Sequence, residues 1–525
     1  MRYAAATLVI PVLLLVGVSP GGQSTTRIGA GTPSGPSAPS SHSPYVPLAY
    51  VESSTGLGNP QWEGGGTELE LGDVNADGKV DIVAIGDHGS PYVNTQEHGI
   101  MVYFGNGAGA WSVFQSGNFG YGGIALGDVN GDGWMDAGYG MHHNWSSTDF
   151  GDQLIEVALG DGTGTGWTPW DDGLATNGES WGMFGTDFAD YDGDGDLDLG
   201  ANSFGASAGV HLYRNEGDGT WTQTFGFTGG NSSFDLVFGD VNGDGHADFV
   251  AENSSGTVYL GNGLGGFTLA DLNLPSPGAW GVRDGLDLGD VDGDGCDDVA
   301  WVGSGGEVEV WRWDPAGQWL PAKSGLPVTS PAEAAQLGDM DGDGRTDLVL
   351  FGGGIGAVFL GDGAGHWAVA AYFAAGTPGY CSALETGDDA DRNGRPDIVL
   401  VSEEGSLFST RNHLRCYLES SVPAHLAVRL VRPGPHAVLR RGQVRFLEWR
   451  SAVPGGVPAT IDLELSTSGP GGPWTPIAAG LPDNGRHQWT VPPSTLQTAA
   501  GHLRVTLRTA GQTVAHVNAV AFSIE

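Results

Sequence analysis

Seven short stretches of the chain carry oxygen-bearing side chains at positions 1, 3, 5 and 9 of a nine-residue loop, with glycine at position 6. Oxygen donors at alternate positions converge on one point only where the chain curls tightly, and glycine permits that curl. Donors of this kind suit Ca²⁺, which accepts six to eight oxygens in a flexible geometry. The residues at the four positions are, loop by loop, Asp73, Asn75, Asp77 and Asp81; Asp128, Asn130, Asp132 and Asp136; Asp190, Asp192, Asp194 and Asp198; Asp240, Asn242, Asp244 and Asp248; Asp290, Asp292, Asp294 and Asp298; Asp339, Asp341, Asp343 and Asp347; Asp389, Asp391, Asn393 and Asp397.

Position 7 of the loops shows no preference for a residue type. This variation is expected if only the backbone carbonyl of that residue binds the ion, as in the helix-loop-helix calcium site. We therefore include position 7 in each ligand set and expect up to seven bound Ca²⁺. The residues at this position are Lys79, Trp134, Asp196, His246, Cys296, Arg345 and Arg395.

Two other interpretations of the loops are weaker. Asp, Asn and Gly also favour ordinary surface turns, but seven copies with one spacing favour ion binding. A helix-loop-helix site needs a bidentate Glu at position 12, and no acid occupies that position in any copy. Each loop is instead followed by a β-branched, apolar run such as residues 81–85 or 397–400, which is typical of a strand. The loops should therefore connect strands.

The loops begin 49 to 62 residues apart, and each repeat contains the patterns of four short strands. A repeat of about 50 residues with four strands is typical of a β-propeller blade. An aromatic residue begins the fourth strand, and we expect these aromatics in the core. They are Trp111, Trp167, Trp221, Phe267, Trp319 and Trp367.

The run Gly-Asp-Val-Asn-Gly-Asp-Gly, at 127–133 and 239–245, is followed by an apolar strand and a Gly-Asn-Gly-x-Gly turn. This arrangement resembles FG-GAP/VCBS repeats, the blades of the integrin α-subunit propeller and of many secreted bacterial proteins. The resemblance covers residues 48–420 and implies an all-β, seven-bladed propeller with a Ca²⁺ loop in each blade. Residues 48–72 should complete the last blade, although six or eight blades stay open. The last loop departs most from the pattern, through Asp388, Asn393 and the nearby Arg392 and Arg395, and should bind its ion most weakly.

Residues 421–525 have a different composition, with five strand patterns separated by Gly/Pro turns. About 100 residues of this kind favour a β-sandwich of the immunoglobulin or fibronectin III type. The segments around Trp449, Trp474 and Trp489 resemble immunoglobulin-like modules of the Kre9/Knh1 type. We expect this domain to be a spacer or a second binding module.

The net charge is −41, and it is unevenly distributed. Residues 45–420 hold 57 acidic and 10 basic residues, whereas residues 421–525 hold 5 acidic and 9 basic residues. Seven Ca²⁺ would relieve much of the repulsion in the first region. Nucleic acid is disfavoured as a partner because that region has no basic stripe.

Residues 1–24 have the form of a secretory signal peptide, with Arg2 before an apolar run. Residues 25–47 are rich in Gly, Ser and Pro and should be a disordered linker. No later segment is long and apolar enough to span a membrane. We therefore expect a secreted or extracellular protein, and association with a cell surface stays open.

Two features could carry additional chemistry. Cys381 and Cys416 flank the last loop and can pair in an oxidising compartment. The longest repeat contains an insertion with His142 and His143, and Trp170, Trp181 and Phe184 lie nearby in sequence. Such residues can bind sugar or a second metal, or can simply belong to a packed or solvated loop.

These observations favour a calcium-binding adhesion or recognition module whose ligand is an extracellular glycan or protein. The alternative is a carbohydrate-active enzyme, resembling a polysaccharide lyase, on the same scaffold, because fold alone does not fix function. We find no set of acid, base and nucleophile outside the repeats, so no catalytic residue is predicted. His142 and His143 would be the candidates for the enzyme.

Overall fold

The computed structural model describes residues 48–58, 68–86, 99–114, 122–141, 153–176, 179, 183–203, 209–228, 232–253, 256–275, 285–303, 305–328, 332–375, 381–404, 411–421, 425–454 and 457–525. Within this part of the chain the regular elements are all β-strands, which confirms the all-β prediction. None of its elements is a helix with the length and apolarity needed to cross a bilayer.

Repeated four-stranded antiparallel sheets make up the larger part of the described chain. We number seven of them by the ion loop that each contains. The first strand, β1 (Tyr50–Glu52), pairs with the last strand of the seventh sheet. The strands then follow in chain order: β2 (Leu69–Gly72), β3 (Asp81–Gly86), β4 (Gly99–Gly105) and β5 (Trp111–Val113) form the first sheet; β6 (Ile124–Gly127), β7 (Asp136–Gly140), β8 (Ile155–Gly160) and β9 (Trp167–Pro169) the second; β10 (Met183–Ala189), β11 (Asp198–Ser203), β12 (Gly209–Asn215) and β13 (Trp221–Thr228) the third; β14 (Ser232–Gly239), β15 (Asp248–Asn253), β16 (Val258–Gly261) and β17 (Phe267–Leu269) the fourth; β18 (Asp287–Gly289), β19 (Asp298–Val302), β20 (Val308–Asp314) and β21 (Gln318–Pro321) the fifth; β22 (Ala334–Gly338), β23 (Asp347–Gly352), β24 (Ile355–Gly361) and β25 (Trp367–Ala374) the sixth; β26 (Cys381–Thr386), β27 (Ile398–Glu404) and β28 (Arg411–Glu419), with β1, the seventh.

Each pair of consecutive sheets shares one hydrophobic cluster. For example, Val83 and Val102 of the first sheet lie in one cluster with Leu126 and Ala137 of the second. The first and seventh sheets also share a cluster, so the apolar contacts continue from the last sheet back to the first. This arrangement is consistent with a β-propeller.

Tryptophan side chains connect neighbouring sheets through hydrogen bonds. At four of the expected aromatic positions, the indole N–H donates to a backbone carbonyl that follows the outermost strand of the preceding sheet in the series. The pairs are Trp111 with Ser53 at 3.1 Å, Trp221 with Trp170 at 2.8 Å, Trp319 with Ala270 at 2.8 Å, and Trp367 with Ala322 at 2.7 Å. These four rings are buried, as expected, whereas Trp167 and Phe267 are partly buried.

The N-terminal strands differ from the expectation, and the structure answers the open question of whether two of the cysteines pair. Residues 50–52 do complete the seventh sheet, but residues 69–72 begin the first sheet. Cys381 and Cys416 are both buried, and no disulfide joins them. They lie on β26 and β28, with β27 between them, and strands two apart are about 10 Å from each other, which is too far for a disulfide.

The C-terminal residues form two further sheets around one core. β29 (Ala427–Arg432), β31 (Val444–Ala452) and β34 (Arg486–Thr490) form a three-stranded sheet; β30 (Val438–Leu439), β32 (Ala459–Ser466), β33 (Thr475–Pro482), β35 (Thr498–Thr509), β36 (Thr513–Val517) and β37 (Phe522–Ile524) form a six-stranded sheet. Leu447 and Trp449 of the smaller sheet share a buried cluster with Leu463 and Val505 of the larger one. The immunoglobulin-like sandwich and the boundary at residue 421 stay predictions.

Candidate metal centres

All seven loops connect the first and second strands of a sheet, as the sequence predicted. The glycine at position 6 has a positive φ in every loop, between 80° and 102°. An L-residue with a side chain rarely adopts this conformation, so the glycine is required for the curl.

The carboxylate at position 1 holds the curl closed by accepting backbone N–H groups from within the loop. In loop one, the Asp73 carboxylate accepts from the amides of Asp77 and Gly78, both at 2.9 Å. The Asn75 side-chain oxygen accepts from Asp77 as well, also at 2.9 Å. The side chains at positions 1 and 3 therefore both lie against the turn at positions 5 and 6.

The carboxylate at position 9 also connects two parts of the sheet through hydrogen bonds, which the sequence did not reveal. Its two oxygens accept backbone N–H groups from two different parts of the sheet. Asp81 accepts from Val74 at 3.3 Å, within the loop, and from Gly105 at 2.9 Å, at the end of the third strand. The corresponding pairs in the other loops are Asp136 with Val129 and Gly160; Asp198 with Tyr191 and Asn215; Asp248 with Val241 and Gly261; Asp298 with Val291 and Trp313; Asp347 with Met340 and Gly361; Asp397 with Ala390 and Glu419.

Burial of the position 9 carboxylates makes their charge costly. These side chains are at most 1 % exposed in all seven loops. Burial raises the pKa of Asp81 and Asp248 to about 8 and that of Asp136 to about 7, and neighbouring loop carboxylates raise these pKa values further. A divalent cation in the loop would favour the charged form and so reverse this effect.

The structure brings acidic ligand atoms together in loops three, five, six and seven. In each of these loops, three carboxylate oxygens lie within 4.8 Å of one another. The groups are Asp190, Asp192 and Asp194; Asp290, Asp292 and Asp294; Asp339, Asp341 and Asp347; Asp389, Asp391 and Asp397. Hard oxygen donors at this spacing fit Ca²⁺. The identity and number of the ions, and the complete ligand sets, stay predictions.

Position 7 residues donate their backbone N–H groups to the position 5 side chain of the same loop. In loop one the Lys79 amide donates to Asp77 Oδ1 at 3.1 Å, and in loop six the Arg345 amide donates to Asp343 Oδ1 at 2.9 Å. The side chains of Lys79 and Arg345 also form ion pairs with the position 5 carboxylates, at 2.7 and 2.9 Å. These two cations would compete with a metal ion for Asp77 and Asp343.

The insertion that contains His142 and His143 lies outside the described residues, as do Trp181 and the side chain of Phe184. Trp170 is described, and its ring packs edge-on against Trp221 with the ring centroids 5.9 Å apart. It therefore contributes to the contact between two sheets.

A further set of acidic residues, which sequence reasoning missed, connects the innermost strands of neighbouring sheets. The Asp187 carboxylate accepts from the Phe238 amide at 2.8 Å, and the Asp287 carboxylate accepts from the Leu337 amide at 2.6 Å. These contacts satisfy N–H groups at the edge of a sheet. The signal was present in the sequence, since both residues lie three positions before a loop.

Comparison with known proteins supports the repeat assignment. A family of FG-GAP-like repeats matches residues 73–138, 202–251, 290–350 and 339–400. No curated protein sequence matches the chain.

Three solved structures are similar to parts of this chain at low identity. A lectin from Agrocybe aegerita, described as recognising non-reducing terminal N-acetylglucosamine, is 22% identical over 60% of this chain and 81% of its own, with a TM-score of 0.39. AofleA from Arthrobotrys oligospora is 8% identical over 77% of this chain and 84% of its own, with a TM-score of 0.27. The TcdB2-TccC3-Cdc42 structure is 14% identical over 88% of this chain and 20% of its own, with a TM-score of 0.29. These scores are too low to support an argument about function.

The matched segments contain six of the seven loops, and the remaining loop, at 190–198, has the same spacing and the same backbone bonds to its position 9 carboxylate. Residues 73–138, 202–251 and 290–400 therefore match FG-GAP-like repeats, and the repeated four-stranded sheets fit a β-propeller.

Proposed function

We propose that this protein is a secreted, calcium-stabilised, seven-bladed β-propeller that recognises an extracellular glycan or protein. Ca²⁺ in the loops fixes the connection between the first and second strands of each blade. The position 9 carboxylate extends this effect to the third strand, because it holds the loop and the end of that strand together. The ions thus keep the disc rigid, and the connections elsewhere contact the partner.

The observation that carries the recognition role is a difference between the two ends of the sheets. At the loop end, the connection between the first two strands has eight residues in six sheets and eleven in the seventh. At the opposite end, the connection between the second and third strands varies from two residues in the sixth sheet to fourteen in the second. Variable loops on a constant scaffold are typical of binding surfaces. We therefore place the partner at the variable end, where the fourteen-residue connection includes His142 and His143.

A screen of printed glycans and extracellular matrix proteins, with 1 mM Ca²⁺ and with EGTA, tests this function. We expect saturable binding with Ca²⁺ that is lost in EGTA. The double variant His142→Ala, His143→Ala should lose at least about tenfold in affinity if the longest connection contacts the partner. Leu264→Ala is the matched control, because Leu264 is 81 % exposed at the loop end. Equal binding by the two variants would show that this connection is not part of the binding site.

A separate assay tests the alternative that the protein is an enzyme. Incubation with acidic polysaccharides should give binding without shortened or unsaturated products. Product release that is abolished by His142→Ala would replace the recognition function with catalysis. A protein that binds no printed glycan or matrix protein and releases no product would overturn the recognition role.

A further inference from the structure

The C-terminal sheets contact the ion loops of the propeller-like region. Residues between 429 and 490 reach all seven loops. The contacting residues, in loop order, are Asn484 at loop one, Gln488 at loop two, Val444 at loop three, Arg440 and Arg445 at loop four, Pro435 and His436 at loop five, Arg429 at loop six, and Asp483 with residues 450–453 at loop seven.

Two of these contacts depend on the exact position of loop atoms. The Gln488 side chain donates to the Asp128 carbonyl at 2.7 Å and accepts from the Asp128 amide at 3.0 Å. The Val444 amide donates to Asp190 Oδ2 at 2.9 Å, and the Val444 side chain lies in the cluster shared by the second and third sheets. Both contacts therefore require that the start of the loop is in place.

Loop seven contacts the C-terminal sheets along the backbone. Asn393 and Ala452 form an antiparallel bridge, and the Val453 amide donates to the Arg392 carbonyl at 3.0 Å. The Arg392 side chain forms an ion pair with Asp483 at 2.6 Å. A loop that changed its curl would break all three contacts.

Arginines of the C-terminal sheets add charged contacts that do not depend on an ion, because their attraction to the loop carboxylates is strongest when no ion is bound. All nine basic residues of residues 421–525 are arginines, and several face the acidic loops. Arg429 forms an ion pair with Asp339, Arg440 Nε donates to the Asp244 carbonyl at 2.8 Å, and Arg445 donates to the Gly245 carbonyl. Arginine is well suited to such contacts because its guanidinium presents several donors in a fixed geometry.

Loop five is contacted through its backbone. A side chain at Gly295 would lie 2.8 Å from the Pro435 carbonyl oxygen and from His436 Cβ. The C-terminal chain thus approaches the turn of this loop closely enough that only glycine fits.

We propose that ion loading of the seven loops and docking of the C-terminal sheets are linked, so that the ion-loaded loops form the docking surface and ion removal releases the C-terminal sheets. This inference rests on the ion binding in the proposed function. Without an ion, the three to five carboxylates in each loop repel one another. The loops then lose the single curl that positions Asp128, Asp190 and Arg392 for their partners. Coupling of this kind is reciprocal, so docking must also strengthen ion binding.

Hydrogen–deuterium exchange of the full-length protein tests the link. The amides of Val444 and Val453 donate across the contact, whereas those of Leu463 and Val505 lie in strands within the C-terminal sheets. Removal of Ca²⁺ should accelerate exchange at Val444 and Val453 by at least about tenfold, with Leu463 and Val505 unchanged. Continued protection of Val444 and Val453 while the amide of Gly78 in loop one exchanges rapidly would overturn the proposal.

If the whole chain unfolds when Ca²⁺ is removed, the exchange experiment cannot separate docking from folding. A single-residue variant then tests the link in the presence of Ca²⁺. Gln488→Ala removes both bonds to Asp128 without changing any charge near an ion. It should raise the Ca²⁺ concentration for half-saturation on the order of fivefold, and should accelerate exchange at Val453, which contacts a different loop. Gln512→Ala, an exposed glutamine away from the loops, is the matched control. Identical Ca²⁺ titrations for the two variants would refute the link, whereas a protein that binds no Ca²⁺ at all would refute the proposed function itself.

Discussion

The propeller-like region and the C-terminal sheets are both built mainly from antiparallel strands. They differ in how their acidic side chains are balanced by positive charge. Residues 45–420 hold 57 acidic residues against 10 basic ones, and their position 9 carboxylates are buried beside other acids. In the C-terminal sheets, acids are paired with arginines on neighbouring strands, as in Arg504 with Glu464 at 2.5 Å and Arg508 with Asp462 at 2.6 Å.

The hydrophobic cores of the two regions also differ. The C-terminal sheets share one buried cluster that includes Leu447, Trp449 and Leu463. The propeller-like region has seven smaller clusters, each between two sheets. The comparison teaches that the first region has few basic residues of its own to balance its carboxylates, whereas the second pairs its acids with its own arginines. Four predictions sharpen or break this contrast.

Removal of Ca²⁺ should have the largest effect. If each loop binds near ~10⁻⁴ M and Ca²⁺ is near ~1 mM, an ion contributes about 1.4 kcal/mol, and seven independent ions contribute on the order of 10 kcal/mol. Calorimetry in EGTA should therefore show a large fall in the melting temperature of the propeller-like region. The C-terminal sheets should melt nearly as before, and an unchanged profile would contradict the contrast.

The second-largest effect should be the change in stability of the ion-free protein with pH. Because burial raises the folded-state pKa of Asp81 and Asp248 to about 8 and that of Asp136 to about 7, the folded state holds protons that the unfolded state releases near pH 4. The stabilisation from these protons is complete below pH 4 and is lost as the pH rises to about 8. Chemical denaturation of ion-free protein between pH 4.5 and 8.5 should show this fall, and 1 mM Ca²⁺ should remove most of it. Stability that rises with pH in ion-free protein would show that these carboxylates are charged when buried.

Loss of one position 9 carboxylate should lower the stability of the protein by a smaller amount. Asp248→Ala leaves the buried amides of Val241 and Gly261 without an acceptor, which should cost about 3 kcal/mol in the free energy of unfolding. Asp218→Ala, in an exposed turn of the third sheet, should leave the melting temperature unchanged. Denaturant titration of the two variants in saturating Ca²⁺ checks the difference, and equal stabilities would exclude a structural role for position 9.

Replacing one inter-sheet tryptophan should have the smallest effect of the four. Trp319→Phe removes the hydrogen bond to the Ala270 carbonyl and part of a buried ring, which should cost about 2 kcal/mol. The matched change in the C-terminal sheets is Trp449→Phe, which removes a bond to Asp483 at 3.0 Å. In EGTA, Trp319→Phe should lower the first melting transition, and Trp449→Phe the second. If both variants shift one common transition, the two regions unfold together.

Much of the molecule followed from local patterns in the sequence. The 1-3-5-6-9 spacing of the loops and the apolar runs after them predicted where one strand ends and the next begins, because turn chemistry and side-chain alternation act over a few residues. The aromatic residues Trp111, Trp221, Trp319 and Trp367 were predicted as core for the same reason. Their hydrogen bonds to the preceding sheet were not, since the acceptors are ordinary backbone carbonyls.

Only the tertiary structure decided how distant groups meet. The two oxygens of Asp81 are shared between Val74 and Gly105, the sulfur atoms of Cys381 and Cys416 are separated by a strand, and Gln488 lies against Asp128 across 360 residues of sequence. The sequence by itself determined the repeat, its loops and its charge, because these depend on neighbouring residues. Burial, partner choice and the contact between loops and C-terminal sheets depend on which surfaces pack together, and no single segment of the chain specifies that.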